Sequence, residues 1–497
     1  MDFDEANFTF ELNDKKLFKQ QCFINGEWTD AETGETFEVY NPSNQKLLGY
    51  MPNCSKAETI RAIDAANEAW KGWKSLSGKD RSIIIKNWHQ LILENIDDLA
   101  LIMTLENGKP INDSKGEINY ASWFTEWFSE EAKRAYGKTI PSTLSDRRIL
   151  TIKQSIGVCG IITPWNFPSA MITRKVAPAL AAGCPVVIKP AGSTPFSATA
   201  LIELANRAGV PKGVINLISV SEKNVAEVGD ELCTNKTVRK ISFTGSTNVG
   251  RALIAKSAST IKKVSMELGG HAPFIVFEDA DLEEAVKGAM ANKYRNSGQV
   301  CVSANRIFVH EKIHDKFAEM LAQKSSELKV SDGREDGAQI GPLITEAALE
   351  KVKSHVDDAR NKGAKVITGG DQDNAGKQFY KPTVMTNVNN QMKIFYEETF
   401  GPVAPLIKFS NDQEVIEMAN DTNYGLAGYF FSRDIGRIWR VAEALEYGMI
   451  GVNAGVISTE VAPFGGIKES GIGREGASEG LDEYLEIKYI CIDGVNN

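Results

Sequence analysis

Cys301, in Gly298-Gln299-Val300-Cys301, and Glu267, in Met266-Glu267-Leu268-Gly269-Gly270, are the residues of this chain best suited to covalent chemistry on a carbonyl carbon. A thiol carries a useful thiolate fraction near neutral pH and is intrinsically nucleophilic. The adduct it forms then needs a base to activate water, and a glutamate suits that step. A solitary cysteine in an apolar setting is more often a small buried hydrophobe, so the flanking residues matter. Gly269, Gly270 and Gly298 predict close backbone approach on either side of a small substrate. Asn166, in Pro164-Trp165-Asn166-Phe167-Pro168, offers an amide N–H to an oxyanion.

Other strings suit a phosphate or a ribose. Gly245-Ser246-Thr247-Asn248-Val249-Gly250 follows a strand-like run and precedes a helical one, an order in which free N–H groups and the helix dipole receive an anion. It lacks the middle glycine of the usual dinucleotide fingerprint, and Arg251-Ala252 stands where a Walker loop has Lys-Ser/Thr. Glu267, about 20 residues after Gly245, would then be a ribose-binding acid, which competes with its role as base. Lys189 ends the apolar run Pro185-Val186-Val187-Ile188 and reads either as a ribose contact or as a lysine snorkelling at a strand end. Glu398 and Phe400 read either as part of a turn or as a carboxylate and an aromatic face for a nicotinamide and its ribose. His310-Glu311-Lys312-Ile313-His314 matches H-E-x-x-H, but zinc binding needs both imidazoles on one helix face, and this string follows the strand-like Arg306–Val309. The sequence predicts a solvent-exposed turn there and no metal, since His89, His271 and His355 lack ligand spacing.

These groups need a large scaffold. A chain of 497 residues exceeds one ordinary core and predicts two large domains with a small appendage. From Ala57 to about Ala132 apolar residues recur at spacings of three and four, a helical layer. Short apolar strands then alternate with helices, at Val158–Ile162, Pro185–Ile188, Val214–Leu217 and Lys240–Phe243, and again after Glu267, which predicts α/β architecture with mainly parallel sheets. Residues 137–156 and Tyr484–Cys491 are β-prone but poor in core-like runs, a ribbon able to pair with another subunit. A net charge of −9 argues against nucleic-acid or anionic-membrane partners. Seven scattered cysteines without C-x-x-C spacing predict a reduced interior, and the acidic N-terminus, with Asp2, Asp4 and Glu5, lacks signal or transit character. No apolar run reaches the ~18 residues of a membrane helix. Cytoplasmic location is the expectation.

Taken together, these strings resemble the aldehyde dehydrogenase superfamily from about Phe23 to Tyr489. The resemblance implies a Rossmann-type cofactor domain (1–136 and 157–267), an α/β catalytic domain (268–477) and a β-ribbon (137–156 and 478–497) that assembles a homo-oligomer, dimer or tetramer. It implies Cys301 as nucleophile, Glu267 as base, Asn166 with the Cys301 N–H as oxyanion donors, and Lys175 on a proton path. For the cofactor it implies Trp165, Gly245 and Ser246 at the pyrophosphate, Lys189 at the adenosine ribose, Glu398 at the nicotinamide ribose and Phe400 near the nicotinamide.

Within the superfamily, Met171-Ile172-Thr173-Arg174-Lys175-Val176, Tyr294–Gln299 and Pro463–Gly471 resemble the branch that oxidises succinic semialdehyde, an activity that would complete γ-aminobutyrate catabolism. The likeness implies Arg174, Arg295 and Ser458 as contacts of the substrate carboxylate, a task for which guanidinium forks are suited. Two departures stand out. Gly192 occupies the position where NAD-preferring relatives carry a glutamate, so NADP is admitted alongside NAD. Ser303 replaces a second cysteine that forms a reversible disulfide in some relatives, so that switch is absent. Glutarate semialdehyde is the nearest rival substrate, because one methylene shifts affinity by only ~1–3 kcal/mol. A zinc hydrolase and a catalytically silent binding protein are the rivals from other classes.

Overall fold

A computed structural model describes residues 12–495. Asp2, Asp4 and Glu5, and the outermost limits of the implied domains, lie outside the described residues. The chain builds two large sheets. The first has five parallel strands in the order Lys263–Glu267, Val238–Thr244, Val158–Ile162, Val186–Lys189 and Ile215–Leu217, extended by the hairpin Cys22–Ile24/Glu27–Thr29 at one edge and by Gly471–Ile472 at the other. The strands Val158–Ile162 and Val186–Lys189 are buried along their whole length, as expected of strands covered on both faces. The second sheet is also mainly parallel, with Ala304–His310 between Ala272–Val276 and Val403–Phe409.

Helices Lys56–Ser75 and Gly78–Glu94 each begin with a reciprocal capping box, Ser55 with Glu58 and Ser77 with Asp80, which satisfies otherwise free N–H groups. Ile96–Asn107 and Ile111–Glu131 complete the helical layer. The helix that matters most to the site is Ala170–Ala182. Every one of its residues is buried, Arg174 and Lys175 included. A helix enclosed on all sides is normally apolar throughout, so these two cations need partners from elsewhere. A third sheet stands apart: Arg148–Ser155 pairs antiparallel with Lys138–Ile140 and with Leu485–Ile492, the partner strand that the β-prone segment Tyr484–Cys491 predicts.

The H-E-x-x-H string is split between elements. His310 ends the strand Ala304–His310 and His314 starts the helix His314–Ser326, so the two imidazoles do not share a helix face. Glu311 and Lys312 are exposed, but both histidines are buried, His310 against the Ser410 carbonyl and His314 beside Asp315. This corrects the expectation of a wholly exposed turn; the rings pack because a strand end and a helix start both face the core.

Candidate active site

Strand ends bring the chemistry together. Glu267 ends a strand of the first sheet, and Cys301 lies in the turn that enters the central strand Ala304–His310 of the second. That turn is unusual. Asn296, Ser297 and Gly298 have φ of +47°, +56° and +74°, three consecutive left-handed residues of which only glycine adopts that conformation freely. Hydrogen bonds hold them there: Asn296 N–H to Asp113 (3.0 Å), Asn296 Nδ2 to the Asn166 carbonyl (3.0 Å) and Ser297 Oγ to the Gly341 carbonyl (2.9 Å). The glycines serve the same packing. A β-carbon on Gly270 would stand 2.3 Å from the Cys301 carbonyl oxygen, and one on Gly298 2.2 Å from that of Gly401. Gly270 and Gly298 bring backbone to backbone rather than backbone to substrate, which corrects the sequence expectation for these two, whereas Gly269 lines the cleft onto which Cys301 opens.

Asn166 donates Nδ2–H to the Gln299 carbonyl (3.0 Å), which leaves its second amide N–H for another acceptor. The Cys301 N–H has no partner among the described residues. Cys301 is partly exposed, and burial pushes its thiol up to about 11, a rise that Arg174 and Arg295 oppose and Glu267 and Glu398 reinforce. Glu267 is buried, and its Oε2 has no hydrogen-bond partner among the described residues. Burial, then repulsion from Glu475, hold its carboxyl well above the usual carboxylate range.

Glu475 is the residue that the sequence reading missed. Its carboxylate pairs with both Arg174 and Lys175 inside the protein. Burial opposes its ionisation, but the two cations outweigh that and keep its pKa below the ordinary glutamate value. Arg174 thus stands in a buried ion pair, with its guanidinium 4.2 Å over the Phe464 ring. Arg295 has no ion-pair or hydrogen-bond partner among the described residues and lies over Phe167 at 5.2 Å. Ser458 and Arg295 line the same small internal space.

A cleft of about 300 Å³ opens onto Cys301 and is lined by Trp165, Ser246, Glu398 and Phe400, together with Thr244 and Lys351, which the sequence reading did not name. Its size suits a small-molecule ligand. Ser246 caps the helix Thr247–Ser257, and Gly250 lets Leu268 pack within reach of the helix backbone. The Thr244 hydroxyl is buried there with no partner among the described residues, and with the Ser246 hydroxyl at the helix N-terminus it offers donors that fit a phosphate group. Glu398 accepts the Gly270 N–H (3.1 Å), and burial raises its carboxyl to about 7. Trp165 and Phe400 meet edge to face at 5.8 Å. Lys189 and Gly192 do not line this cleft; Lys189 Nζ donates to the Pro190 carbonyl (2.9 Å), and Gly192 lies near Val220 and Phe37. A larger open groove of about 630 Å³ beside Asp315, Lys365 and Lys408 contains none of these residues.

The model of the aldehyde dehydrogenase family matches residues 28–490. The chain belongs to the aldehyde dehydrogenase family. It is 56% identical over 97% of its length to the succinate-semialdehyde dehydrogenase [NADP(+)] of Escherichia coli, covering 99% of that protein. A glutarate-semialdehyde dehydrogenase of Pseudomonas putida is 55% identical over 97% of this chain and 99% of its own. The crystal structure of succinate-semialdehyde dehydrogenase from Burkholderia pseudomallei superposes with a TM-score of 0.96 at 56% identity, covering 97% of this chain and 100% of that one. The fold is that of the aldehyde dehydrogenases, as the sequence resemblance implies.

Proposed function

We propose that this enzyme oxidises succinic semialdehyde to succinate with NADP or NAD, and that it serves γ-aminobutyrate catabolism in the cytoplasm as a homo-oligomer. The observation that carries the substrate is Arg295, a guanidinium unpaired among the described residues, which lines a small space with Ser458 and with Val300 and Val302, the neighbours of Cys301 on either side. An unpaired cation in a partly closed site suits the far carboxylate of a short ω-oxo acid. The names and identities of the Escherichia coli and Burkholderia pseudomallei proteins support the same substrate. The Pseudomonas putida relative keeps glutarate semialdehyde as the second reading.

In this mechanism the Cys301 sulfur attacks the aldehyde carbon, and the oxyanion is met by the Cys301 N–H and the free amide N–H of Asn166. A bound nicotinamide supplies the hydride acceptor. Glu267 then takes a proton from the water that hydrolyses the Cys301 thioester, and Lys175 with Glu475 forms a charged relay behind it. Trp165, Gly245 and Ser246 would hold the cofactor's pyrophosphate, Glu398 and Phe400 would meet its nicotinamide ribose and ring, and Lys189 and Gly192 would lie at its adenosine end. NADP is supported by the cofactor named for the Escherichia coli relative and by the absence of a carboxylate at Gly192.

The residues 1–136 and 157–267 form the cofactor domain in this reading, 268–477 the catalytic domain, and 137–156 with 478–497 the ribbon. Exposed Ile140, Ile487 and Tyr489 on the ribbon support assembly through it. Among the described residues no helix is long and apolar enough to cross a membrane.

The test is a kinetic panel of aldehydes with both cofactors. Arg295→Ala should lower kcat/KM for succinic semialdehyde at least tenfold more than for butanal, the loss of one charge-assisted bond. Equal losses on both substrates would remove the carboxylate assignment.

A further inference from the structure

The helix Glu346–Asn361 contributes Ala348 and Lys351 to the wall of the cleft, and His355 lies one turn further along the same helix face. Its ring is buried and bonds twice to one short segment, through Nδ1 to the Thr399 hydroxyl (3.1 Å) and through Nε2 to the Glu397 carboxylate (3.2 Å). An ionised carboxylate only accepts, which assigns the ring proton to Nε2 and makes Nδ1 the acceptor of the Thr399 O–H. Burial, and after it the Lys351 charge, hold the imidazole below its ordinary pKa, which keeps this neutral form in place.

The segment held by those bonds brings Glu398, Thr399 and Phe400 into the cleft. It is a segment that needs holding. Phe400 has a φ of +56°, a strained conformation for a residue with a side chain, and one that persists at functional sites only where neighbours enforce it. Gly401 packs so closely on the same helix that a β-carbon there would stand 2.5 Å from Val352 Cγ2. The other side-chain ties of the segment are the Gly270 N–H to Glu398 (3.1 Å) and the Thr399 N–H to Asn305 (3.4 Å).

We infer that His355 is a positioning residue for the nicotinamide end of the cofactor: bonded to Thr399 and Glu397, on either side of Glu398, it fixes where Glu398 and Phe400 stand in the cleft. The ring itself does not line the cleft, so it acts through the segment. Lys189 and Gly192, assigned to the adenosine end, lie outside this cleft and are not bonded to the segment. Loss of His355 therefore weakens one end of the cofactor and spares the other. A nicotinamide held loosely also spends less time in the geometry from which hydride transfers.

This inference rests on the reading of Glu398 and Phe400 as contacts of the nicotinamide ribose and ring, and the experiment separates the two. Three quantities are measured in the wild type, His355→Phe, His355→Gln and Glu398→Gln. They are KM for NADP, the inhibition constant of 2′,5′-ADP, which carries the adenosine end without the nicotinamide, and the isotope effect on kcat with succinic semialdehyde deuterated at the aldehyde carbon. His355→Phe should raise KM for NADP about tenfold, the size of one or two hydrogen bonds, while the 2′,5′-ADP constant stays within about twofold of wild type. The isotope effect should grow, because hydride transfer becomes the slower step. His355→Gln, whose amide keeps a donor and an acceptor, should return KM for NADP to within about threefold of wild type. If His355→Phe leaves that KM unchanged while Glu398→Gln raises it, His355 is a packing residue and the cofactor reading survives. Equal rises in the NADP and 2′,5′-ADP constants, or equal damage in the two His355 variants, also overturn the inference, because each marks a general loosening. Should His355→Phe fail to fold, Thr399→Val removes the hydroxyl from the other side of the same bond and must show the same split between the two constants; wild-type values there overturn the inference. If Glu398→Gln leaves KM for NADP untouched, the cofactor reading of this segment falls and the role of His355 falls with it.

Discussion

The two ends of the active site handle charge in opposite ways. Behind Glu267, Arg174 and Lys175 share Glu475, so that end is paired before any ligand arrives. Around Arg295 and Ser458 no hydrogen bond or ion pair is made among the described residues. A paired cluster fixes geometry and tunes proton affinity, while an unpaired one stores recognition for a ligand. Reaction and selection are therefore separable here, and substitutions should sort into those that stop chemistry, those that unfold the protein and those that change the substrate.

The largest effect falls on the reacting atoms. Cys301→Ala should abolish oxidation, whereas Glu267→Gln should release one equivalent of reduced cofactor in a rapid burst and then stall, as a stopped-flow trace will show. Steady turnover by Cys301→Ala would end the covalent mechanism. At the paired end, Glu475→Ala leaves two buried cations uncompensated, for which about 3–5 kcal/mol of stability is expected to be lost. Arg295→Ala removes an unpaired group and should shift the denaturation midpoint far less. Comparable midpoint losses in the two variants would erase the contrast between the ends.

The thiol gives a subtler reading of the same fields. With its pKa raised to about 11, the thiolate fraction of Cys301 grows about tenfold per pH unit below that value. Inactivation of the cofactor-free enzyme by iodoacetamide should accelerate accordingly from pH 7 to 9, and a plateau near pH 7 would contradict it. Arg295→Ala withdraws a cation that favours the thiolate and should slow inactivation at each pH.

The smallest effect belongs to the adenosine end. Gly192→Glu should shift preference from NADP toward NAD by setting a carboxylate against the 2′-phosphate. A β-carbon at Gly192 would lie 3.2 Å from the Val220 carbonyl oxygen, so the backbone must give by a few tenths of an ångström. Unchanged ratios of kcat/KM for the two cofactors would show that this position does not select between them.

Much of this was legible in the sequence because the chemistry sits in short local strings. Ser246 stands at a helix start, and Cys301, Asn166, Glu398 and Phe400 lie in short connections beside strands or helices; the structure gathers them around one cleft. Glu475 carried no such signal. It reaches Lys175 across 300 residues of chain, held by a lone bridge to Phe464, and long-range pairing of that kind leaves no local pattern. The opposite error arose at His310 and His314, whose spacing was visible but whose burial depends on which elements meet there. Gly269 lines the cleft as its position suggested, but Gly270 and Gly298 pack on other backbone, and sequence cannot tell what approaches a glycine.

The left-handed turn from Asn296 to Gly298 sets an order of failure. Its two non-glycine residues are each destabilising by about 1–3 kcal/mol when considered alone, and the turn persists only while Asp113, the Asn166 carbonyl and the Gly341 carbonyl hold it. Those anchors come from three separate stretches of chain, so loosening any one of them lets the turn relax while both sheets remain intact. On slow heating, activity should be lost below the temperature at which the helices melt, and cooling at that stage should restore it. The nucleophile's own support is the enzyme's thermal fuse.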